Sequence, residues 1–150
     1  MINSQLSKIS VESESQIHLN TKASNNQPLI MVVEDNTDSR LMLRIMLEIW
    51  KYRVVEARSG AEAIATVKQM NPDLILMDIG LPDMDGFDAT REIRRFASLD
   101  SLPIIYLSGY PISQAEYVGG NDYLVKPFDV NELENLLNIY TENCRARCNG

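Results

Sequence analysis

The sequence predicts a doubly wound α/β fold, in which a five-stranded parallel sheet is covered by helices on both faces. Short apolar runs alternate with segments whose apolar residues recur at helical spacing, and the connections between them are short. This alternation is typical of a parallel sheet with crossover helices. The chain has 150 residues, 45% of them hydrophobic. That is enough for one domain with a buried core and too little for two ordinary ones.

The first half of the pattern consists of two strands and two helices. The predicted elements are a strand over 28–33, a helix over 38–50 with Thr37 or Asp38 as its N-cap, a strand over 52–57, and a helix over 59–70. The second helix is expected to stop before Asn71-Pro72, because the residue before a proline disfavours helical geometry.

The second half continues the alternation. The predicted elements are a strand over 74–78, a helix over 86–97, a strand over 102–108, at most two helical turns over 111–118, a strand over 122–125, and a helix over 129–140 with Asp129 as its N-cap. Arginines near the end of the 86–97 segment suit the negative end of a helix dipole.

Composition divides the chain into three parts. Residues 1–27 are rich in Ser, Asn and Gln and are expected to form a flexible N-terminal extension. Residues 28–141 form the folded domain, and 142–150 form a C-terminal tail. The tail carries Cys144 and Cys148, which are expected to be solvated, with a redox or intermolecular thiol role as the alternative.

Net charge and hydropathy exclude two classes of partner. The formal net charge is −7, which opposes direct binding to nucleic acid, because phosphate neutralisation supplies most of that affinity. The apolar runs are far shorter than the roughly 20 residues that span a bilayer, and the N-terminus lacks a signal-peptide pattern. The sequence therefore predicts a cytoplasmic protein that binds neither nucleic acid nor a membrane.

Chemically active side chains follow four of the predicted strands: Glu34-Asp35, Asp78, Ser108 and Lys126. In an open parallel sheet, ligands bind outside the carboxyl ends of the strands. Three carboxylates there repel one another by a few kcal/mol per pair at ~4 Å, so the site needs positive charge. Lys126 supplies one charge, and Mg²⁺ suits the oxygen ligands. Such a site can hold a phosphoryl group, with Asp78 as the nucleophile rather than a turn cap.

Four segments in order carry a family resemblance. They are "VVEDN" (32–36), "LILMDIGLPDMDG" (74–86), "IIYLSG" (104–109) and "DYLVKPF" (122–128). Together they resemble the receiver domain of bacterial-type two-component response regulators, over roughly Pro28 to Tyr140. The resemblance implies a flavodoxin-like sheet with strand order 2-1-3-4-5.

The resemblance also implies roles for individual residues. Asp78 corresponds to the aspartate that accepts a phosphoryl group from a histidine kinase or a histidine phosphotransfer protein. Mg²⁺ (or Mn²⁺) would be held by Glu34, Asp35, Asp78 and the main-chain carbonyl of Gly80. Lys126 corresponds to the lysine that pairs with the phosphoryl oxygens, Ser108 to the hydroxyl that bonds one of them, and Tyr123 to the aromatic residue that follows this hydroxyl.

The chain departs from the family pattern in two places. The interval between Ser108 and Lys126 is shorter than usual by about four residues, or one helical turn, which predicts a shortened fourth helix. No effector domain follows the last helix, so we expect a stand-alone receiver that acts through an unknown downstream protein or by onward phosphotransfer. The first helix carries apolar residues on two stripes. Either both stripes are buried, or one is exposed to a histidine-bearing helical partner.

Two other functions compete with the phosphorylation-controlled switch. One is a Mg²⁺-dependent phosphohydrolase with an Asp nucleophile, but such enzymes usually place a general acid where this chain has Gly80. The other is a degenerate receiver that acts as a constitutive scaffold, which the complete set of site residues opposes. We expect no classical enzyme activity. In the family that the chain resembles, the residues two beyond the acceptor and two beyond the hydroxyl line the path of the attacking water. Here they are Gly80, which cannot orient a water, and Tyr110, which can cover the phosphoryl group, so we expect slow self-dephosphorylation.

Overall fold

In the computed structural model, which describes residues 26–96, 99–113 and 119–148, five parallel strands form one sheet. The strands are β1 (Leu29–Val33), β2 (Arg53–Ala57), β3 (Leu74–Asp78), β4 (Ile104–Ser108) and β5 (Asp122–Val125). Their order across the sheet is β2-β1-β3-β4-β5, which confirms the predicted fold class. The order reverses between β1 and β3, so these strands and their neighbour β4 form the edge where a ligand is expected.

The described residues contain four helices. They are α1 (Thr37–Ile49), α2 (Gly60–Met70), α3 (Gly86–Arg94) and α4 (Val130–Cys148). Among the described residues, none of these helices is long and apolar enough to cross a bilayer. The predicted turns of a shortened fourth helix fall largely on residues 114–118, which lie outside the described residues, as does nearly all of the predicted N-terminal extension.

Helix boundaries differ from the prediction most clearly at three points, and by one residue elsewhere. The N-cap of α1 is Asn36, whose side chain accepts the N–H of Ser39, so the prediction of Thr37 or Asp38 was wrong. Helix α3 ends at Arg94 instead of residue 97. Helix α4 continues past its predicted end at Tyr140 and includes residues assigned to the tail. Its predicted cap is confirmed, since the Asp129 carboxylate accepts the N–H of Asn131 at 2.7 Å.

The sheet buries apolar side chains on both faces. Successive residues of a strand point to opposite sides, so Met31 joins the core on the α2 and α3 side while Ile30 joins the core on the α1 and α4 side. Every residue of β1, β3 and β4 is buried. This rigid centre fixes the positions of the residues at the carboxyl ends of those strands.

The loop between β3 and α3 uses its two further carboxylates as helix caps. Asp83 accepts the N–H groups of Gly60 and Ala61 at the start of α2, both at 2.9 Å, and these bonds hold the pKa of Asp83 below its ordinary value. Asp85 is the N-cap of α3 and accepts the N–H of Asp88 at 2.8 Å. Both carboxylates therefore serve helix N-termini.

Helix α3 begins unusually close to the end of β3. The N–H of Gly86 donates to the carbonyl of Ile79 at 3.0 Å. A Cβ atom at Gly86 would lie 2.5 Å from the carbonyl oxygen of Asp78 and 2.9 Å from the Cα of Ile79. Only a glycine allows the helix to start at this distance from the strand.

Candidate functional site

Three carboxylates meet at the carboxyl ends of β1 and β3. Glu34, Asp35 and Asp78 each offer one oxygen, and these oxygens all lie within 4.8 Å of one another. Glu34 is 2% and Asp78 7% exposed, whereas Asp35 lies at the surface. Carboxylate oxygens at this spacing suit a hard divalent cation such as Mg²⁺. The structure thus brings together the three side chains predicted as metal ligands.

Lys126, which follows β5, supplies positive charge to this cluster. Its Nζ lies 2.8 Å from Oε2 of Glu34 and 3.4 Å from Oδ1 of Asp78. Burial lowers the pKa of Lys126, but the hydrogen bond to Glu34 and the charges of Asp78 and Glu34 outweigh it, so the pKa lies above its ordinary value. The lysine is therefore charged at neutral pH and offsets part of the carboxylate repulsion.

Both carboxylate oxygens of Glu34 accept hydrogen bonds. Oε2 accepts the hydrogen bond from Lys126, and Oε1 accepts the N–H of Asn36 at 3.2 Å. Burial raises the pKa of Glu34, and the hydrogen bond from Lys126 lowers it. The nearby charge of Asp78 also raises it, so the pKa of Glu34 lies above its ordinary value. The Glu34–Lys126 ion pair fixes the ammonium group next to Asp78.

Gly80 lies in the loop directly after β3, beside Asp78. Its N–H is 3.3 Å from Oδ1 of Asp78, and no heavy atom of the described residues would lie within 4 Å of a Cβ added at this position. A side chain here would therefore extend into open space. That its carbonyl is a metal ligand stays a prediction.

The hydroxyl of Ser108 is engaged with its own loop. Ser108 Oγ donates to the carbonyl oxygen of Tyr110 at 2.5 Å and accepts the N–H of Tyr110 at 3.1 Å. Its main-chain carbonyl accepts the N–H of Lys126 at 2.6 Å. The hydroxyl stands at the end of β4 as predicted, but its hydrogen bonds are made to Tyr110.

Tyr123 lies on the same face of the sheet as Ser108. It is paired in register with Tyr106, and Ser108 is paired with Val125. Tyr123 is partly buried against the core on the α2 and α3 side, where Tyr106 is fully buried and contacts the edge of Phe87 at a centroid distance of 4.9 Å. The sequence reasoning missed Tyr106, although its position two residues before Ser108 places it on the same face.

The sequence reasoning also missed Arg40. This residue is buried in α1, and its Nη1 donates to the carbonyl oxygen of Glu34 at 2.9 Å. Its position in the helix could have indicated that it is buried, because Arg40 falls on the same stripe as Leu43 and Leu47. A charged residue on a core-facing stripe needs a buried partner.

Comparison with known proteins identifies the same family as the sequence motifs. Residues 30–138 match the family described as the response regulator receiver domain. The chain belongs to this family. As a receiver domain of two-component systems, it is a signalling phospho-acceptor.

Relatives of this receiver domain occur alone and inside longer proteins. It is 32% identical to the protein PilH of Pseudomonas aeruginosa over 114 residues, which cover 73% of this chain and 93% of PilH. It is 37% identical over 117 residues to the CAI-1 autoinducer sensor kinase/phosphatase CqsS of Vibrio cholerae, covering 75% of this chain and 17% of CqsS. The matched region thus corresponds to nearly all of PilH and to a small part of the sensor kinase.

A solved receiver structure supports the fold and the acidic site. The receiver domain of the sensor histidine kinase PA1611 from P. aeruginosa aligns with a TM-score of 0.71 and 36% identity, covering 76% of this chain and 97% of that domain. That domain holds a magnesium ion coordinated in its active site cleft. In the present receiver, the cluster of Glu34, Asp35 and Asp78 offers carboxylate oxygens, which Mg²⁺ prefers as ligands.

Proposed function

We propose that Asp78 accepts a phosphoryl group from a phosphohistidine, with Mg²⁺ (or Mn²⁺) held by Glu34, Asp35, Asp78 and the carbonyl of Gly80. The observation that carries the proposal is the placement of Asp78. Its buried carboxylate lies within 4.8 Å of the two acidic neighbours and 3.4 Å from the ammonium of Lys126. Nucleophile, ligands for a cation and a fixed positive charge thus meet at one point.

The transfer can be written from these residues. An Oδ atom of Asp78 forms a bond to phosphorus as the phosphorus–nitrogen bond of the donor histidine breaks, and the electron pair of that bond returns to the imidazole. Lys126 stabilises the phosphoryl oxygens, because its ammonium already lies within reach of Asp78. When bound, the cation neutralises negative charge on the phosphoryl group. The product is an acyl phosphate on Asp78.

The new phosphoryl oxygens give Ser108 a second possible partner. In the resting protein the hydroxyl of Ser108 is bonded to Tyr110. A phosphorylated aspartate carries about two negative charges and strong acceptors, so the hydroxyl turns toward it and Tyr123 moves into the space that it leaves. This repacking changes the surface near β5, which alters binding to a downstream protein or onward phosphotransfer. A cytoplasmic location stays a prediction.

Helix α1 offers a docking face for the phosphoryl donor. Its solvent side is apolar: Met42 is 52%, Ile45 48% and Ile49 66% exposed, so one of the two sequence stripes is exposed. Met42 also lines a groove of about 330 Å³ whose wall includes Glu34 and Lys126. An amphipathic helix seated on this face would place its histidine at the site. The proposed partner is therefore a helical histidine kinase or phosphotransfer domain.

A lysine substitution on the exposed apolar face of α1 tests docking of the donor separately from phosphoryl transfer to Asp78. In Met42→Lys, we expect the rate of phosphorylation by a phosphorylated histidine phosphotransfer domain to fall at least about tenfold, since a buried unpaired lysine costs over 1.4 kcal/mol. Phosphorylation by a small phosphodonor should be unchanged. Ile139→Lys, at an exposed apolar position of α4, is the matched control and should alter neither rate. Equal losses with both donors would contradict the docking proposal.

The phospho-acceptor proposal is tested on the wild-type protein. Incubation with a small phosphodonor and Mg²⁺ should add the mass of one phosphate, and EDTA should prevent this. Gel filtration of the same samples shows whether phosphorylation changes assembly. A mass gain that EDTA leaves undiminished would contradict a metal-dependent site.

Asp35→Ala is expected to weaken Mg²⁺ binding about tenfold or more without destabilising the metal-free fold. The exposed carboxylate of Asp35 belongs to a cluster of mutually repelling charges, so its removal leaves the metal-free melting temperature unchanged or raises it. Calorimetric titration with MgCl₂ and thermal unfolding in EDTA measure the two effects. Asp38→Ala, an exposed acidic residue in the first turn of α1, is the control. A lower metal-free melting temperature with unchanged Mg²⁺ affinity would refute the ligand assignment.

Slow self-dephosphorylation also stays a prediction. Gly80 lies in open space beside Asp78, and it has no side chain that could orient an attacking water. Tyr110 is about half exposed, and its main chain is bonded to Ser108. The decay of the phosphorylated protein in Mg²⁺, compared between wild type and Tyr110→Ala, reports whether the ring shields the phosphoryl group.

A further inference from the structure

Arg40 contacts the main chain of two proposed metal ligands from within α1. Its Nη1 donates to the carbonyl oxygen of Glu34 at 2.9 Å and lies 3.4 Å from the carbonyl oxygen of Asp35. The side chain is 7% exposed. A guanidinium keeps its proton in proteins and has donors in a rigid fork. Nη1 itself carries two N–H donors, so it can serve both neighbouring carbonyls at once.

These carbonyls need a donor because strand pairing ends beside them. The N–H of Glu34 still donates to the carbonyl of Ala57, at 3.1 Å, but β1 itself ends at Val33. A buried carbonyl left without a donor costs roughly 1–3 kcal/mol. Arg40 supplies the donor at the point where the chain leaves the sheet and carries the two carboxylates toward Asp78.

The guanidinium of Arg40 also faces the carboxylate of Glu56. Its Nε lies 4.0 Å from Oε1 of Glu56 on β2, and Arg44 lies 3.9 Å from the other oxygen of the same carboxylate. Glu56 is paired in register with Val32. The loop carrying the ligands is thus connected through Arg40 to an edge strand.

We infer that Arg40 is a positioning residue for the metal site. It acts through the main chain of Glu34 and Asp35 by fixing where their carboxylates leave the loop. Mg²⁺ demands near-ideal octahedral geometry, so a loop free to shift binds it less well. The inference rests on the proposed function, because it requires the cation to bind at these residues.

The test compares Arg40→Gln, Arg40→Lys and Arg44→Gln by calorimetric titration with MgCl₂. Arg40→Gln is expected to raise the Mg²⁺ dissociation constant about tenfold, which is typical for loss of a group that supports metal ligands. Arg40→Lys keeps the charge but has a shorter side chain without the planar guanidinium that also faces Glu56, so it should rescue binding only in part. Arg44→Gln removes an arginine that contacts the same Glu56 without touching the loop, and it should leave the constant unchanged.

Thermal unfolding in EDTA separates positioning from stability. If Arg40→Gln lowers the metal-free melting temperature but binds Mg²⁺ within twofold of wild type, Arg40 supports the fold alone and the inference is wrong. If Arg40→Gln does not fold, the test uses Arg40→Lys instead. A Mg²⁺ dissociation constant of Arg40→Lys within twofold of the wild-type value would then overturn the inference. Failure of the wild-type protein to bind Mg²⁺ at millimolar concentration would instead contradict the proposed function.

Discussion

Asp78→Asn should abolish the gain of one phosphate that the wild-type protein shows with a small phosphodonor and Mg²⁺. An amide in place of the carboxylate lacks the anionic oxygen that attacks phosphorus, and it replaces one of the three charged groups of the metal cluster with a neutral one. We expect the phosphorylated fraction, measured by intact mass, to fall to background. The loss should persist at high donor concentration, since Glu34, the other described carboxylate beside Lys126, is buried and accepts hydrogen bonds at both of its oxygens.

Two neighbouring carboxylates provide the controls for this variant. Asp83→Asn and Asp85→Asn alter residues of the same loop that cap helices, and both variants should still gain one phosphate. Persistence of the mass shift in Asp78→Asn would refute the assignment of the acceptor. Absence of any shift in the wild-type protein would favour a constitutive scaffold, and rapid turnover of the phosphodonor would favour a phosphohydrolase.

Gly86→Ala is expected to destabilise the fold by about 2 kcal/mol, which lowers the melting temperature by roughly 8 °C. The new Cβ would lie 2.5 Å from the carbonyl oxygen of Asp78. That oxygen belongs to the main chain of a buried strand, so it cannot move without shifting the strand or the start of α3. Because Asp78 is the proposed acceptor, the rate of phosphorylation should fall together with stability.

Gly109→Ala is the matched control for this substitution. Gly109 follows Ser108 at the end of the neighbouring strand, and among the residues that the structure describes, no heavy atom would lie within 4 Å of a Cβ added there. Its melting temperature should stay within about 2 °C of wild type. A Gly86→Ala variant as stable as Gly109→Ala would show that the start of α3 can move away from the strand at little cost.

The sheet could be predicted because its strands are almost continuously apolar. Runs such as Leu74–Asp78 are buried on both faces, and fully buried strands differ clearly from amphipathic helices in sequence. The residues of the site could be predicted for a related reason. In a parallel sheet every strand ends at the same edge, so Asp78 and Lys126 could be placed together before any distance was known.

Interactions that depend on local hydrogen-bond geometry could not be predicted. Asn36, Thr37 and Asp38 are all good N-caps, and only the observed bond to Ser39 selects Asn36. At the end of α3, the guanidinium of Arg94 contacts the carbonyls of Leu99 and Gly119. Such tertiary contacts leave no periodic signal in the sequence.

In the proposed switch, the hydrogen bonds between Ser108 and Tyr110 would set the background level of the signal. Each contributes about 1 kcal/mol of net stabilisation. Together they favour the resting arrangement, by a factor of about 30, over one in which the hydroxyl of Ser108 has turned toward Asp78. Only a few per cent of unphosphorylated molecules would then display the active surface at any moment. A partner that recognises this surface would bind few receiver molecules before phosphorylation. The dynamic range of the response would be set by a single three-residue turn, 108–110.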